Sequence, residues 1–308
     1  MRKLSIIVPV YNAAEYLEKC VDSLLQQNVE DYEIILINDG SKDNSLEILN
    51  RYRQSWPDRI VVLDITNGGQ GRARNFALDI AQGEYIGFAD SDDWADTAMF
   101  PKMLSAAEEK QADIVICDSW CVDGEKKTYE KAALQGSALA ASGSVWNKLF
   151  RRDLIGEIRF PEGLWYEDFS FSAKLLLKTD KIVFLPEALY YYRSGHASTM
   201  RNQNAKKNLD MLVIMKDISD FLGTEKRDEL EFLIINHVLL DSIKRVNLQN
   251  APDKKQVIKV FRDYVQDVIP KLSACASFQK ETRNRRIIMW LNYHGLEDLS
   301  QAILKIKG

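Results

Sequence analysis

Residues 4–118 alternate between short apolar runs and stretches with helical spacing. "LSIIVPV", "YEIILIN", "RIVVLDI", "EYIGFA" and "ADIVICDSW" are the runs, and "NAAEYLEKCVDSLLQQ", "LEILNRYR", "GRARNFALDIA" and "MFPKMLSAAEEK" lie between them. In the first helical stretch Tyr16, Leu17, Cys20, Val21, Leu24 and Leu25 share one stripe, and Asn12 and Glu15 have capping-box spacing, which predicts a helix start at Asn12. Strands this uniformly apolar are covered on both faces. The pattern therefore predicts an α/β domain with a mostly parallel sheet flanked by helices.

In such sheets ligands bind beyond the carboxyl ends of the strands. Polar residues gather there: Asn12 after the first run, Asp39 after the second, Asn67 after the third, and Asp90, Ser91, Asp92 and Asp93 after the fourth. Three crowded carboxylates repel one another, and an external cation would offset that repulsion. Two of them, two residues apart, suit Mg²⁺ or Mn²⁺, which take hard oxygen ligands and fill their shells with phosphate oxygens. An Asp-rich turn capping the next helix is the simpler alternative for this motif alone. "NGGQGRAR" has Gly69 and Gly71 near a helix but lacks the third glycine of a dinucleotide fingerprint and follows the third strand, which argues against a dehydrogenase.

From about residue 203 the pattern turns helical, so two domains are expected: 1–202, α/β, and 203–308, α-helical. The net charge of −4 conceals an asymmetry, about −9 over residues 1–200 and +5 over 201–308, which hints at different partners for the two parts. Four scattered cysteines give no disulfide framework, Cys117 and Cys121 have no second pair of metal ligands nearby, and no run of about 18 apolar residues exists. A reducing cytoplasm is the expected location.

The motifs "SIIVPVYN", "NDGSKDNS", "NGGQGRARN" and "ADSDD", arriving in this order and each tied to a strand end, together closely resemble the family 2 glycosyltransferases over roughly residues 3–200. That resemblance implies an inverting enzyme of GT-A fold that takes a nucleotide-sugar donor. Residue by residue, it implies that Pro9, Tyr11 and Asn12 line the nucleobase and ribose. Asp39 matches the residue that accepts from uracil N3–H, a donor that cytosine lacks, while Asn38 stands where the family usually has an acid. Asn67, Gly69 and Arg74 belong to the family's "N-x-G-x-x-x-A-R-N" element, with Arg74 free to pair with phosphate or with Asp90. Asp90-Ser91-Asp92 becomes the DXD motif: Asp90 and Ser91 against the nucleoside, Asp92 on Mn²⁺ or Mg²⁺. Asp93 reads better as a helix cap.

An inverting transfer needs a carboxylate opposite the leaving diphosphate to take the proton of the acceptor hydroxyl. "GLWYEDFSFSAKLLLK" supplies Glu167 and Asp168, which could otherwise be ordinary first-turn acids of a helix. The family's "ED" pair here implies Asp168 as base, with Glu167 orienting the acceptor or Asp168. "W-x-K-L-F" falls on Trp146, Lys148, Leu149 and Phe150, with Lys148 reaching for diphosphate or sugar. Trp165 could stack on an acceptor sugar. Arg193, His196 and Ser198 loosely match a segment that closes over the diphosphate, and His196 could complete a Mn²⁺ shell.

The expected activity is a metal-dependent hexosyl- or N-acetylhexosaminyl-transfer from a UDP-sugar to a glycan, lipid-linked or glycoprotein acceptor, in bacterial-type surface polysaccharide or glycoconjugate assembly. A catalytically silent nucleotide-sugar-binding scaffold is the alternative from another class, and Asp92 together with Asp168 argues against it. A phosphotransferase would need its nucleophilic Asp after the first strand, where Tyr11 and Asn12 stand. No nucleic-acid partner is expected. For "RNRRIIMWLNYHG", with Arg283, Arg285 and Arg286 before a Trp, three roles stay open: packing in the helical domain, a homo-oligomer interface, or a weak, salt-sensitive contact with an anionic membrane face.

Overall fold

Every residue of β1 (Leu4–Val10) and β2 (Tyr32–Asp39) is buried in the computed structural model, which describes residues 2–132, 138–141, 143–195, 204–223 and 225–307. Side chains alternate across the sheet with period two. Ile6, Val8, Ile34 and Leu36 pack with α1 (Ala14–Leu25), α2 (Ser45–Ser55) and α4 (Met99–Lys110). Ile7, Ile35 and Ile37 pack with α3 (Gln70–Ile80) and α6 (Glu167–Lys178) on the other face. Continuous apolar runs thus become strands with two covered faces.

The described strands form one nine-stranded sheet. The others are β3 (Ile60–Ile65), β4 (Tyr85–Phe88), β5 (Trp94–Ala95), β6 (Ile114–Asp123), β7 (Lys126–Glu130), β8 (Lys148–Arg151) and β9 (Ile182–Arg193), in the order β3-β2-β1-β4-β8-β6-β9-β5, with β7 on β6. The first four are parallel, as expected. The rest is mixed: β4–β8, β6–β8, β6–β7 and β5–β9 are antiparallel, and β6–β9 parallel. There, among the described strands, only β6 and β7 form a direct hairpin; α4 lies between β5 and β6, and α5 (Arg152–Ile155) and α6 lie between β8 and β9. β1 is flanked by β2 on one side and β4 on the other, so the strand order reverses at the β1–β4 pair. The carboxyl ends of that pair carry Asn12 and Asp90, the place where such sheets bind ligands.

The start of α1 differs from expectation. The helix begins at Ala14, and Asn12 does not cap it; it sits in the left-handed region with φ 49°. The free amides of the first turn are taken from outside the helix. Ala13 N–H donates to Ser45 Oγ and Ala14 N–H to Asp43 Oδ2, each at 3.0 Å. The Asn12 side chain instead accepts from Lys42 N–H at 2.7 Å. Orphan donors need an oxygen but not a local one, and sequence spacing cannot see a cap lent by a distant loop.

The chain divides into two compact units, residues 1–196 and 197–308. The second is helical: α7 (Asp210–Leu222), then α8 (Arg227–Leu233) running through a π-helical stretch, Ile234–Ser242, into α9 (Ile243–Leu248), then α10 (Lys254–Val268), α11 (Ala276–Gln279), α12 (Arg283–Tyr293) and α13 (Glu297–Lys307). Ile214, Val238, Leu239, Phe261, Val265 and Met289 make its core.

Candidate active site

Arg74 organises one side of the site. It lies on α3 and is 2% exposed, yet its guanidinium meets two carboxylates, Asp90 Oδ1 at 2.9 Å and Glu167 Oε1 at 2.8 Å. A buried cation persists only when paired and hydrogen-bonded. The ring of Phe160 lies 5.4 Å from the guanidinium carbon. The loop before α6 is drawn onto α3 by Asn75, whose side chain donates to Phe160 C=O and accepts from Phe160 N–H, both at 2.9 Å. Gly71 permits this approach, since a Cβ there would lie 2.7 Å from the Pro161 carbonyl oxygen. Tyr166, at φ 68°, then turns the chain into α6 so that Glu167 and Asp168 open the helix. A bulky residue in that region carries backbone strain, which surrounding contacts must hold.

The acids respond to this crowding. Asp168 is pushed up to about 7, by burial first and then by the charge of Glu167, against the pull of Arg74. Its Oδ1 accepts from Phe169 N–H at 2.8 Å. Asp90 is pushed up to about 6 by burial, again against Arg74, with Asp92 raising it further. Lys148 has no exposed surface, and its Nζ donates to Ser144 C=O at 2.5 Å and Asn147 Oδ1 at 2.9 Å. Burial brings it down to about 7, with Asp168 the chief attraction opposing the fall. The structure buries Lys148 on the Asp168 side.

A second knot forms around Asp39, which is buried. Its Oδ1 accepts from Gly68 N–H at 2.8 Å, and its Oδ2 from Gly69 N–H at 2.9 Å and from the Asn67 side chain at 3.2 Å. Gly69 has φ 90°, a value open to glycine. Asp39 thus fixes the loop that opens α3, a role its motif did not reveal. Asn38 donates to Asp64 Oδ1 at 2.7 Å, which explains an amide where an acid is usual: two facing carboxylates would repel. Pro9 is buried inside β1, so it supports the floor, while Tyr11 is 50% exposed at the strand end.

The acidic loop is shared out among different partners. Asp90 faces Arg74. Asp93 is 1% exposed and accepts from Tyr190 O–H and Arg193 N–H, so it is not a helix cap. Asp92 has its carbonyl bound by Arg193 Nε at 2.9 Å. The Arg193 guanidinium lies 4.7 Å from the Tyr16 ring and 5.1 Å from that of Trp94. Ser91 lies between, partly exposed. Among the described residues no group of three or more His, Cys, Asp or Glu gathers to hold a cation. The donor set is one of hard carboxylate oxygens, Asp92 with Asp90 beside it. That chemistry fits Mg²⁺ or Mn²⁺ taking much of its shell from a diphosphate. His196 and Ser198 lie outside the described residues. Trp146 stacks on Tyr190 at 4.5 Å and serves the core, and Trp165 is partly exposed beside the ring of Tyr166.

The sequence profile described as Glycosyl transferase family 2 matches residues 5–170. The uncharacterized glycosyltransferase EpsJ of Bacillus subtilis is 36% identical over 211 residues, 62% of this chain and 61% of its own. The poly(ribitol-phosphate) beta-glucosyltransferase of Bacillus spizizenii is 36% identical over 273 residues, 82% of this chain and 43% of its own. The chain therefore spans less than two thirds of the length of either relative. The crystal structure of S. aureus TarS 1–349 in complex with UDP-GlcNAc aligns with TM-score 0.78 and 23% identity, over 97% of this chain and 92% of that one. That likeness shows the GT-A-type fold with a helical C-terminal region. The chain belongs to glycosyl transferase family 2.

Proposed function

From that family membership we propose that the protein is an inverting, metal-dependent glycosyltransferase. It moves a sugar from a UDP-sugar to a hydroxyl of a glycan, glycolipid or glycoprotein acceptor in surface polysaccharide or glycoconjugate assembly. One observation carries the reading: the Arg74 bridge sets Glu167, and Asp168 next to it, beside the Asp90–Asp92 loop. A base and a leaving-group site are thus held together by a single buried side chain.

In this reading Asp168 takes the proton of the acceptor hydroxyl as its oxygen bonds the anomeric carbon. The carbon–oxygen bond to the diphosphate breaks on the opposite face, and UDP leaves. A carboxyl titrating near 7 matches a base working at neutral pH. Glu167, held by Arg74, keeps the first turn of α6 in place. Asp92, with Asp90 nearby and His196 as a further candidate, holds the divalent cation, which supplies neutralisation of the leaving diphosphate. Asp39 has a lone pair left for uracil N3–H after its three loop bonds. Tyr11, Asn12, Asn67, Gly69 and Ser91 complete the nucleoside end, and Arg193 and Ser198 the diphosphate end. The TarS structure holds UDP-GlcNAc, and the Bacillus spizizenii relative is named a glucosyltransferase of poly(ribitol-phosphate). The first favours a UDP-sugar donor here, and the second a hexosyl group moved to a polymeric acceptor.

For residues 203–308 we propose a weak contact with an anionic membrane surface on the cytoplasmic side. Arg283 and Arg286 are exposed and make no ion pair among the described residues, and Ile287 and Trp290 beside them are 41% and 49% exposed. No described helix is long and apolar enough to cross a membrane.

The test is a screen of UDP-sugars with Mn²⁺ and candidate acceptors, reading UDP release and product mass. UDP release that needs Asp92 and Mn²⁺ is expected. Activity of an Asp92→Asn variant in EDTA equal to the wild type would overturn the metal role, and absence of UDP binding would overturn the donor.

A further inference from the structure

The third carboxylate of the acidic loop has a task that neither the nucleoside nor the cation explains. Asp93 Oδ1 accepts from Arg193 N–H at 2.7 Å, and Oδ2 accepts from Tyr190 O–H at 3.0 Å. The same Tyr190 oxygen accepts from Asp90 N–H at 3.0 Å, and Arg193 Nε donates to Asp92 C=O at 2.9 Å. Four hydrogen bonds therefore tie residues 90–93 to two residues of β9, at both ends of the loop. On the β9 side the anchor is rigid. Tyr190 has no exposed surface, lies 4.5 Å from and nearly parallel to Trp146, and pairs with Ala95 across the β5–β9 ladder.

Burying a carboxylate is costly unless its lone pairs are filled. Asp93 has no cation partner among the described residues. It accepts instead from a hydroxyl and a backbone amide, both aimed by the fold. A packing role alone would be met more cheaply by an apolar side chain of similar volume. The cost is intelligible if what the bonds fix is the backbone path of the loop, because that path aims the neighbouring side chain.

We propose that Asp93 and Tyr190 are positioning residues for Asp92, acting through the loop backbone to hold its carboxylate ready for the cation. The proposal rests on the metal-dependent reading above. Tyr190→Phe removes the hydroxyl and leaves Asp90 N–H and one Asp93 oxygen unfilled. Asp93→Asn keeps the volume but offers an amide where Tyr190 O–H needs an acceptor.

The test compares these two variants with Met103→Ala, a core truncation on α4 that destabilises without touching the loop. Amide hydrogen exchange is read on a peptide covering residues 89–95, and Mn²⁺ affinity in the presence of UDP by electron paramagnetic resonance. Exchange about tenfold or more faster and a Mn²⁺ Kd raised about tenfold are expected for both loop variants. Neither is expected for Met103→Ala at matched loss of Tm. Unchanged exchange in both loop variants overturns the proposal. So does faster exchange with unchanged Mn²⁺ affinity, which would make the bonds a brace for the fold only. A wild type that binds no Mn²⁺ with UDP sinks the metal reading and the cation half of this proposal, while the exchange arm still decides whether these residues hold the loop.

Discussion

Arg74 bonds Asp90 and Glu167 through separate nitrogens, at 2.9 and 2.8 Å, from a position only 2% exposed to solvent. Residues far apart in sequence, one after β4 and one opening α6, are thereby held by one cation. Arg74→Met leaves two acids crowded with nothing between them. Breaking a buried pair by removing one partner costs about 3–5 kcal/mol, so urea unfolding should show a loss of that order. Arg74→Lys keeps the charge but not the fork, and should retain more stability than Arg74→Met while losing most turnover. Equal stability of Arg74→Met and wild type would remove the bridge from the account of the site.

Asp168 gives the pH prediction. Its carboxyl is raised to about 7 in the fold, and a base works only when deprotonated, so kcat should fall as pH drops below about 7. Asp168→Asn should lower kcat by at least about 10²-fold, erase that acidic limb and leave UDP affinity near normal. Stability runs the other way. An acid whose folded value is raised binds its proton more tightly in the fold, so its contribution is favourable at low pH and is lost as pH rises from the unfolded value toward 7. An Asp168→Asn variant should therefore be relatively more stable than wild type above pH 7 than at pH 5. A pH profile with its acidic limb intact in Asp168→Asn would place the base elsewhere.

The parallel strands, the two helical layers and the polar rim were legible because each rests on a local signal: apolar runs, helical spacing, polar residues at strand ends. Glu167 and Asp168 could be singled out only through the motif, since first-turn acids are common on helices, and their placement beside the Asp90 loop through Arg74 has no local signal. What was not legible is pairing over distance. Nothing near Asn12 says that Asp43 and Ser45 will cap α1. Nothing in "ADSDD" says that Asp93 turns inward toward β9. Nothing in "SVWNKLF" says that Lys148 will have no exposed surface, since lysine is seldom fully buried. The mixed half of the sheet escaped for the same reason: β8 and β9 pair with strands distant in sequence.

Asn38 and Asp64 make a compensated pair across β2 and β3, with the amide donating to the carboxylate at 2.7 Å. Asn38→Asp restores the acid usual in the family but sets it, at a buried position, against the solvent-exposed Asp64. A loss of about 1–3 kcal/mol is expected, the cost of an unmet buried polar group with like-charge repulsion added. The double variant Asn38→Asp/Asp64→Asn should recover most of it, since donor and acceptor merely exchange ends. Thermal melts of the single and double variants decide the matter, and a double variant no better than the single would show that Asp64 is not what fixes Asn38.

The α12 helix separates its arginines in a way the sequence could not. Arg285 turns inward, with Glu281 at 2.9 Å and Asn236 Oδ1 at 2.6 Å. Arg285 itself stays partly exposed, while Met289, Leu291 and Tyr293 are buried, so part of the helix serves packing. Arg283 and Arg286 face outward beside Ile287 and Trp290, around an open apolar groove of about 290 Å³ that Phe278 also lines. Two cations without an ion pair among the described residues, rimming an exposed indole, suit an anionic bilayer, where a basic residue near the surface contributes about 1 kcal/mol and salt screens it. Two arginines and one tryptophan give only weak binding. Vesicle flotation with anionic lipid at low salt should therefore recover a fraction of the protein, and high salt should release it. Arg283→Gln/Arg286→Gln should abolish recovery, whereas Arg285→Gln should lower Tm and leave recovery of the folded fraction unchanged. If anionic vesicles recover nothing at low salt while light scattering reports a dimer that Trp290→Ala dissolves, the outward face is a contact between copies of the chain and the membrane role falls.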